Sequence, residues 1–321
     1  MAIDSNPGGS AGASSAPCAG RIGVVTVTYN SASVLPEFFD SLRAQTYREY
    51  TLYVIDNASS DGTLELCRRA TDLPIVLVAN DDNLGVAEGN NQGIRAALAD
   101  GCEYVLLLNN DTVFDERLLA GLRDGLRQHG CGMTTPKIYY HGEPGKIWAA
   151  GGRFQRWLGY RPAHNGEGQV DRGQFDAVRT ISYAPTCCVL IHRSAFERIG
   201  LMDPLYFVYS DDVDFMYRAL KAGLVTKYLP GVTMQHKVNS LTGGSRSPFV
   251  AKYCTRNRVY FLLKNQPAVA ARFWIAIYRG YLSLRFILRR DSFQVWDLKR
   301  AAVAEGWEMG RSSGRRGPAE R

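Results

Sequence analysis

Strand-like and helix-like stretches alternate through residues 21–125. Gly23-Val24-Val25-Thr26-Val27-Thr28 is a β-branched run bounded by Arg21 and Asn30, and it predicts a buried strand. Val34 to Gln45 has helical spacing, with Leu35, Phe38, Phe39 and Leu42 on one face. Tyr50 to Ile55 predicts a second strand, stopped by the turn-forming run Asp56-Asn57-Ala58-Ser59-Ser60-Asp61-Gly62. A helix over Thr63 to Ala70, a strand over Pro74 to Val78, a loop and helix from Asn83 to Ala99, and a strand over Tyr104 to Leu108 follow. This alternation predicts an α/β fold: a mostly parallel central sheet flanked by helices, with right-handed crossovers. Ligands bind such sheets beyond the carboxyl ends of the strands. The polar residues gather there: Thr28-Tyr29-Asn30, Asp56-Asn57, Asn80 to Asn83 and Asn109-Asn110-Asp111.

Residues 130–180 are less regular. They predict short strands or a hairpin, then a long loop from Tyr160 to Gln174, with Trp148 and Trp157 as candidate acceptor contacts. Ile181 to His192 is strand-like, Arg193 to Gly200 and Asp212 to Ala222 are helical, and Val225 to Leu229 predicts a strand ending at Pro230-Gly231. Met1 to Gly20, rich in Gly, Ala, Ser and Pro, predicts a disordered leader without a secretory signal. Residues 21–250 are expected to form one domain with a nucleotide-binding half, 21–125, and an acceptor-binding half, 126–250. A helical basic extension, 251–305, and a disordered basic tail, 306–321, would follow.

Charge sharpens that division. Residues 251–321 carry 15 Lys and Arg against 5 Asp and Glu, while the whole chain of 321 residues has a net charge of +7. The preceding part is therefore slightly acidic, and the basic excess belongs to the extension. From Phe273 to Arg290 that extension is apolar, aromatic and interrupted by Arg279 and Arg285. It predicts a helix lying on an anionic membrane surface rather than a spanning one, and not a nucleic-acid contact. Packing on the catalytic domain or in a homo-oligomer is the alternative. The seven cysteines are scattered without metal-ligand spacing, and the adjacent Cys187-Cys188 is poor disulfide geometry, so reduced thiols are expected.

Two acidic clusters about a hundred residues apart carry the candidate chemistry. Asn109-Asn110-Asp111 closes the apolar run Tyr104 to Leu108, and Asp211, Asp212 and Asp214 follow the aromatic run Leu205 to Tyr209. A carboxylate at the end of a buried strand is costly unless it holds a metal, a proton or a partner. Asp111 could bind Mg²⁺ or Mn²⁺ together with diphosphate oxygens. Crowding can leave one of Asp211 and Asp212 poised as a base. Asp214 is spaced for an ion pair with Arg218 or, alternatively, faces the acceptor. His236 could add a late metal or phosphate ligand beside Lys237. The other four histidines, 129, 141, 164 and 192, read as structural or exposed. In the run from Asn83 to Gly93, Gly85, Gly89 and Gly93 would let a helix start approach a nucleotide, with Asn83 and Asn90 beside it. The run lacks the G-x-G-x-x-G of dinucleotide-binding oxidoreductases, which argues against that class.

In order and spacing these pieces resemble the family 2 glycosyltransferases of the GT-A fold, nearest to the bacterial rhamnosyltransferase-like branch. The resemblance rests on Val25 to Asn30, Asp56 to Thr63, Asn83 to Gly93, Leu108 to Thr112, Phe207 to Arg218 and Pro230 to His236. It implies that Thr28 and Asn30 line a nucleotide pocket and that Asp56 accepts from the imide N–H of uracil or thymine. Asp111 would be the metal ligand of the D-x-D motif, although Asn109 stands at its first position. Asp212 would be the general base, with Asp211 where the family usually has Glu. Pro185-Thr186-Cys187-Cys188 departs from the small residues often found there. The resemblance also implies inverting transfer from a nucleotide-diphosphate sugar, dTDP-rhamnose or a UDP-sugar, to a glycan or lipid-linked glycan at the cytoplasmic face of the bacterial plasma membrane. A catalytically silent binding homologue is the competing reading.

Overall fold

The computed structural model describes residues 18–238 and 247–313. Its strands are β1 Cys18–Thr28, β2 Tyr50–Asn57, β3 Ile75–Asn80, β4 Cys102–Leu108, β5 Thr112–Phe114, β6 Met133–Tyr140, β7 Ile147–Ala150, β8 Gly152–Gln155, β9 Arg161–His164, β10 Arg179–Ile181, β11 Cys188–His192 and β12 Thr226–His236. Its helices are α1 Leu35–Arg43, α2 Thr63–Arg69, α3 Gly85–Ala99, α4 Leu118–Gln128, α5 Arg193–Ile199, α6 Asp211–Lys221, α7 Pro248–Asn265, α8 Ala268–Ile287 and α9 Phe293–Ser313.

The apolar runs of the first half become the parallel strands β4-β1-β2-β3, as their alternation with helices predicts. β1 and β2 are bonded on both sides and bury nearly every residue, which is why they carry no polar alternation. α1 turns Leu35, Phe38, Phe39 and Leu42 into one face of the sheet, and α3 covers the other. The antiparallel strand β11 then joins β4 to a second parallel pair, β6 and β12, so the whole sheet is mixed.

Four expectations change. The strand expected to stop at Pro230-Gly231 runs on to His236, because a register shift against β6 between Leu229 and Thr233 absorbs a proline that has no N–H to donate. The loop from Tyr160 to Gln174 contains β9, the second arm of a hairpin with β8. Residues 181–192 are not one strand: Ile181 ends β10, and β11 starts only at Cys188. Helix α9 continues to Ser313, so the segment from 306 onward is partly helical. Of the leader expected over residues 1–20, Cys18 to Gly20 instead begin β1 and the rest lies outside the described residues, as does the last part of the basic tail from 314.

The extension is not an appendage at its start. Val259, Tyr260, Phe261 and Leu262 of α7 are buried in the same core as Phe215, Tyr206 and the underside of the sheet. Among the described residues, no helix is long and apolar enough to cross a membrane.

Candidate active site

The carboxyl ends of β1 and β2 lock together through polar side chains. The Thr28 hydroxyl donates to Asp56 Oδ1 at 2.7 Å, and Ser59 donates to the same carboxylate through its hydroxyl and its backbone N–H. Asn30, at φ 50°, accepts from the Ser60 N–H and donates its own N–H to Ser59. Asp56 is thereby enclosed, with no exposed surface, whereas the neighbouring Tyr29 ring is half exposed. Asn110 serves the same corner from below: its amide donates to the Val27 carbonyl at 2.7 Å, so its side chain fixes the end of β1. Asn109 is exposed, and its N–H is bonded to the Cys187 carbonyl.

The glycine run has a different role from the expected one. A Cβ on Gly93 would fall 2.3 Å from Val25, and one on Gly89 2.8 Å from Val27, so these positions let α3 lie flat on β1. Gly85, at φ 82°, is pressed against Phe207, whose carbonyl accepts from the Val86 N–H. The start of α3 thus clasps the loop that leads to the second acidic cluster. Asn83 caps the Gly85 N–H, and Asn90 is buried in α3.

Strand pairing brings the metal-type donors together. β12 runs antiparallel to β5 with His236 opposite Thr112. That register sets His236 Nε2 3.1 Å from Asp111 Oδ1, and both side chains are largely buried. One carboxylate oxygen and one imidazole nitrogen suit a divalent cation that takes its remaining ligands from phosphate and water. Among the described residues no cluster of three or more His, Cys, Asp or Glu could hold an ion without such help. The protein's pair fits a cation that arrives with a diphosphate.

The second cluster opens α6. Phe207, Tyr209 and Ser210 all have φ near 60°, an unusual run for residues with side chains. Asn257 of α7 holds this loop by donating to the carbonyls of Tyr206, Val208 and Tyr209, and Arg256 donates to those of Leu205 and Tyr206. Asp211 and Asp212 follow immediately. Burial, and then the charge of Asp212, push the Asp211 carboxyl up to about 7. Burial also raises Asp212, opposed by the Tyr183 hydroxyl, the Val213 N–H and the charge of His164. Burial therefore raises both carboxyls, and the hydrogen bonds from Tyr183 and Val213 are the contacts that favour the ionised form of Asp212.

Asp214 is not an acceptor contact. It is fully buried and bonded by Arg218, Lys264, Asn265 and the Tyr206 hydroxyl. Burial would raise it, but Lys264, Arg218 and Asn265 outweigh burial and hold it below the ordinary carboxylate range. The spacing-based ion pair with Arg218 is present at 2.9 Å.

A chain of rings joins the two clusters. His236 meets Trp148 edge-on at 4.7 Å between centroids, and Trp148 meets His164 at 4.4 Å. His164 stacks on Tyr183, whose hydroxyl donates to Asp212. The buried Cys187 thiol lies between the clusters: burial raises it first, and the charges of Cys188, Asp111 and Asp212 raise it further. His164 is thus part of the site, contrary to its reading as structural or exposed. Its Nδ1 has no hydrogen-bond partner among the described residues, and burial lowers the pKa of the ring. Trp148 belongs to the site, but Trp157 stands at the tip of the β8–β9 hairpin with 90% of its surface exposed. Beside His164, a cavity of about 530 Å³ is lined by Arg153, Asn165, Glu167, Gln169 and Arg179.

Sequence alone did not point to Tyr183, Asn257 or Lys264. The signal for Asn257 is its place in the polar run Thr255 to Arg258 midway along α7.

Comparison with known proteins fits this geometry. The family model described as Glycosyl transferase family 2 matches residues 23–200. The chain is 25% identical over 308 residues to an N-acetylglucosaminyl-diphospho-decaprenol L-rhamnosyltransferase of Mycobacterium tuberculosis, an alignment that covers 88% of this chain and 97% of the relative. Among solved structures, S. aureus TarS 1-349 in complex with UDP-GlcNAc matches with a TM-score of 0.55 and 15% identity, covering 92% of this chain and 91% of that one. The mannosyltransferase PcManGT of Pyrobaculum calidifontis, in complex with GDP-Man and Mn²⁺, matches with a TM-score of 0.51 and 18% identity, covering 92% and 86%. Those two likenesses concern the fold.

Proposed function

The chain belongs to glycosyl transferase family 2 and is a glycosyltransferase with a GT-A fold; from that premise we propose that it moves L-rhamnose from dTDP-rhamnose to a lipid-linked glycan, inverting the anomeric centre. The observation that carries the mechanism is the geometry at the start of α6, where the Tyr183 hydroxyl donates to Asp212 beside the buried Asp211. The rhamnose assignment leans on the relative from M. tuberculosis, whose name gives transfer of L-rhamnose and an N-acetylglucosaminyl-diphospho-decaprenol acceptor.

Asp212 takes the proton from an acceptor hydroxyl as that oxygen attacks the anomeric carbon. The carbon–oxygen bond to the nucleoside diphosphate breaks on the opposite face, and the diphosphate leaves with the electron pair. One displacement inverts the configuration. Mg²⁺ or Mn²⁺, held by Asp111 and His236 with the diphosphate, would supply charge neutralisation to the leaving group. Tyr29 and Asn30 face the nucleotide base at the β1 end. Thr28 and Asp56 set the shape of that corner, and a direct contact of Asp56 with the base requires the loop of residues 58–60 to open. Arg153 and Arg179, lining the cavity beside His164, suit an acceptor that carries phosphate.

The testing experiment is transfer by the full chain from a panel of dTDP- and UDP-sugars to a polyprenyl-diphosphate-linked N-acetylglucosamine, with Asp212→Asn as control. Rhamnosyl transfer that needs metal and is lost in Asp212→Asn supports the reading. Transfer only from a UDP-sugar changes the donor. Metal-dependent nucleotide binding without any transfer would favour a silent homologue.

A further inference from the structure

The structure shows which face of α8 is packed and which is bare. Ala271, Ile275 and Leu282 are buried against the catalytic body. Val269, Phe273, Ile277, Tyr281, Leu284 and Leu288 recur every three or four residues on another face, and each keeps 49% or more of its surface exposed. Arg272 and Arg279 flank this stripe and are exposed, and Arg289 and Arg290 follow its end.

The stripe continues onto a second element. Arg258 donates to the carbonyls of Leu158 and Gly159, fixing the 3-10 turn Arg156–Leu158 at the tip of the β8–β9 hairpin. A Cβ on Gly159 would meet the Trp274 ring of α8 at 2.9 Å, and Trp274 meets Phe273 edge-on at 5.1 Å. The exposed Trp157 and Leu158 therefore stand beside the exposed face of α8, between the exposed cations Arg156 and Arg161. At its other end the same hairpin delivers His164 to Tyr183 and Asp212.

We infer that the bare face of α8 and the Trp157-Leu158 hairpin tip form one docking surface for an anionic lipid bilayer, with the hairpin carrying the membrane contact to the acceptor side of the active site. Charge selects this occupant. No Asp or Glu occurs between Asp214 and Asp291, or between Glu143 and Glu167, so both contributing elements present only cations. A second copy on a two-fold axis would bring the same arginines together, and like charges oppose that association. Aromatic and aliphatic side chains entering the interface with arginines at their margin match an interfacial helix. The surface reassigns Trp157 from the acceptor to the membrane. It agrees with a lipid-linked acceptor but does not depend on the sugar or on catalysis.

The test is sedimentation of the full chain with vesicles of phosphatidylcholine alone or mixed with phosphatidylglycerol, at low and high salt, without donor or acceptor. The expected result is binding to the anionic vesicles that weakens with salt. It should fall about tenfold or more in Trp157→Ser and in the double variant Phe273→Ser/Ile277→Ser. These side chains are exposed, so unchanged circular dichroism and thermal unfolding of the variants show that loss of binding is not loss of folding. Equal vesicle binding by the variants, or none by the parent chain, overturns the inference. So does a dimer by light scattering that the same substitutions split, since the face is then a subunit interface. Vesicle binding by a chain that transfers no sugar would leave this inference standing and overturn only the proposed reaction.

Discussion

Asn257 Nδ2 lies 2.7 Å from the carbonyl oxygen of Tyr209, two residues before Asp211. The bond crosses from α7 into the loop where Phe207, Tyr209 and Ser210 hold positive φ. Three carbonyls of that loop accept from this one amide, and only that of Tyr206 also accepts from Arg256 among the side-chain donors described. Asn257→Ala leaves them without it in a buried site, at a cost of about 1–3 kcal/mol in stability. The larger consequence is positional, because the loop sets where α6 begins and so where Asp212 points. We expect kcat to fall about tenfold to a hundredfold with little change in donor KM. A KM effect alone, with kcat intact, would show that the loop is held by other contacts.

Tyr183→Phe isolates the hydroxyl that favours the ionised form of Asp212. The ring and its stack on His164 are kept. Without the donated hydrogen bond, burial acts on Asp212 less opposed and its pKa rises further. The acid limb of the pH profile of kcat/KM is expected to move to higher pH, with activity largely recovered above it. Uniform loss at every pH would mean that Tyr183 contacts the substrate instead.

Much of this site was legible because carboxylates closing apolar runs are expensive and therefore informative. Asp111 and Asp212 announced themselves that way, and the alternation of strand and helix announced the sheet edge where they meet. The partners of these groups were hidden, because pairing across long sequence separation leaves no local mark. Nothing near His164 says that a hairpin will stack it on Tyr183, and nothing near Asn257 says that it will meet Tyr209. Two local signals also misled. Pro230-Gly231 normally ends a strand, yet here it sits at a register shift inside one. Gly89 and Gly93 suggested a nucleotide, yet they serve the contact of α3 with Val27 and Val25. Asp214 was readable as an ion pair with Arg218, but Lys264 and Asn265, from the supposed extension, complete its cage.

Asp211→Asn should stabilise the protein, and only at neutral to alkaline pH. The folded-state pKa of Asp211, about 7, lies above its ordinary value of 3.8. The folded chain therefore holds a proton that the unfolded chain releases. The stability from that protonated form is complete below 3.8 and is lost as pH rises toward 7. An amide mimics the protonated acid at every pH. Thermal unfolding should show the variant melting above the parent at about pH 8, with the gap closing by about pH 4. A constant gap across that range would assign the effect to packing or hydrogen bonding rather than to ionisation.

Asp111 and His236 make the sharpest case for chemistry shared between protein and substrate, since Asp111, in the turn before β5, and His236, at the end of β12, place their two donors 3.1 Å apart. If the cation is held jointly with the diphosphate, metal and nucleotide must bind cooperatively. Nucleoside diphosphate should raise the melting temperature of the parent chain much more with Mn²⁺ than without it. His236→Gln removes the imidazole while keeping a polar side chain of similar reach. The Mn²⁺ needed for half-maximal stabilisation should rise about tenfold or more, while nucleotide binding without metal stays as it was. Asp111→Asn should do the same. If either variant instead weakens nucleotide binding equally with and without Mn²⁺, the pair contacts the diphosphate directly and the cation is not held there.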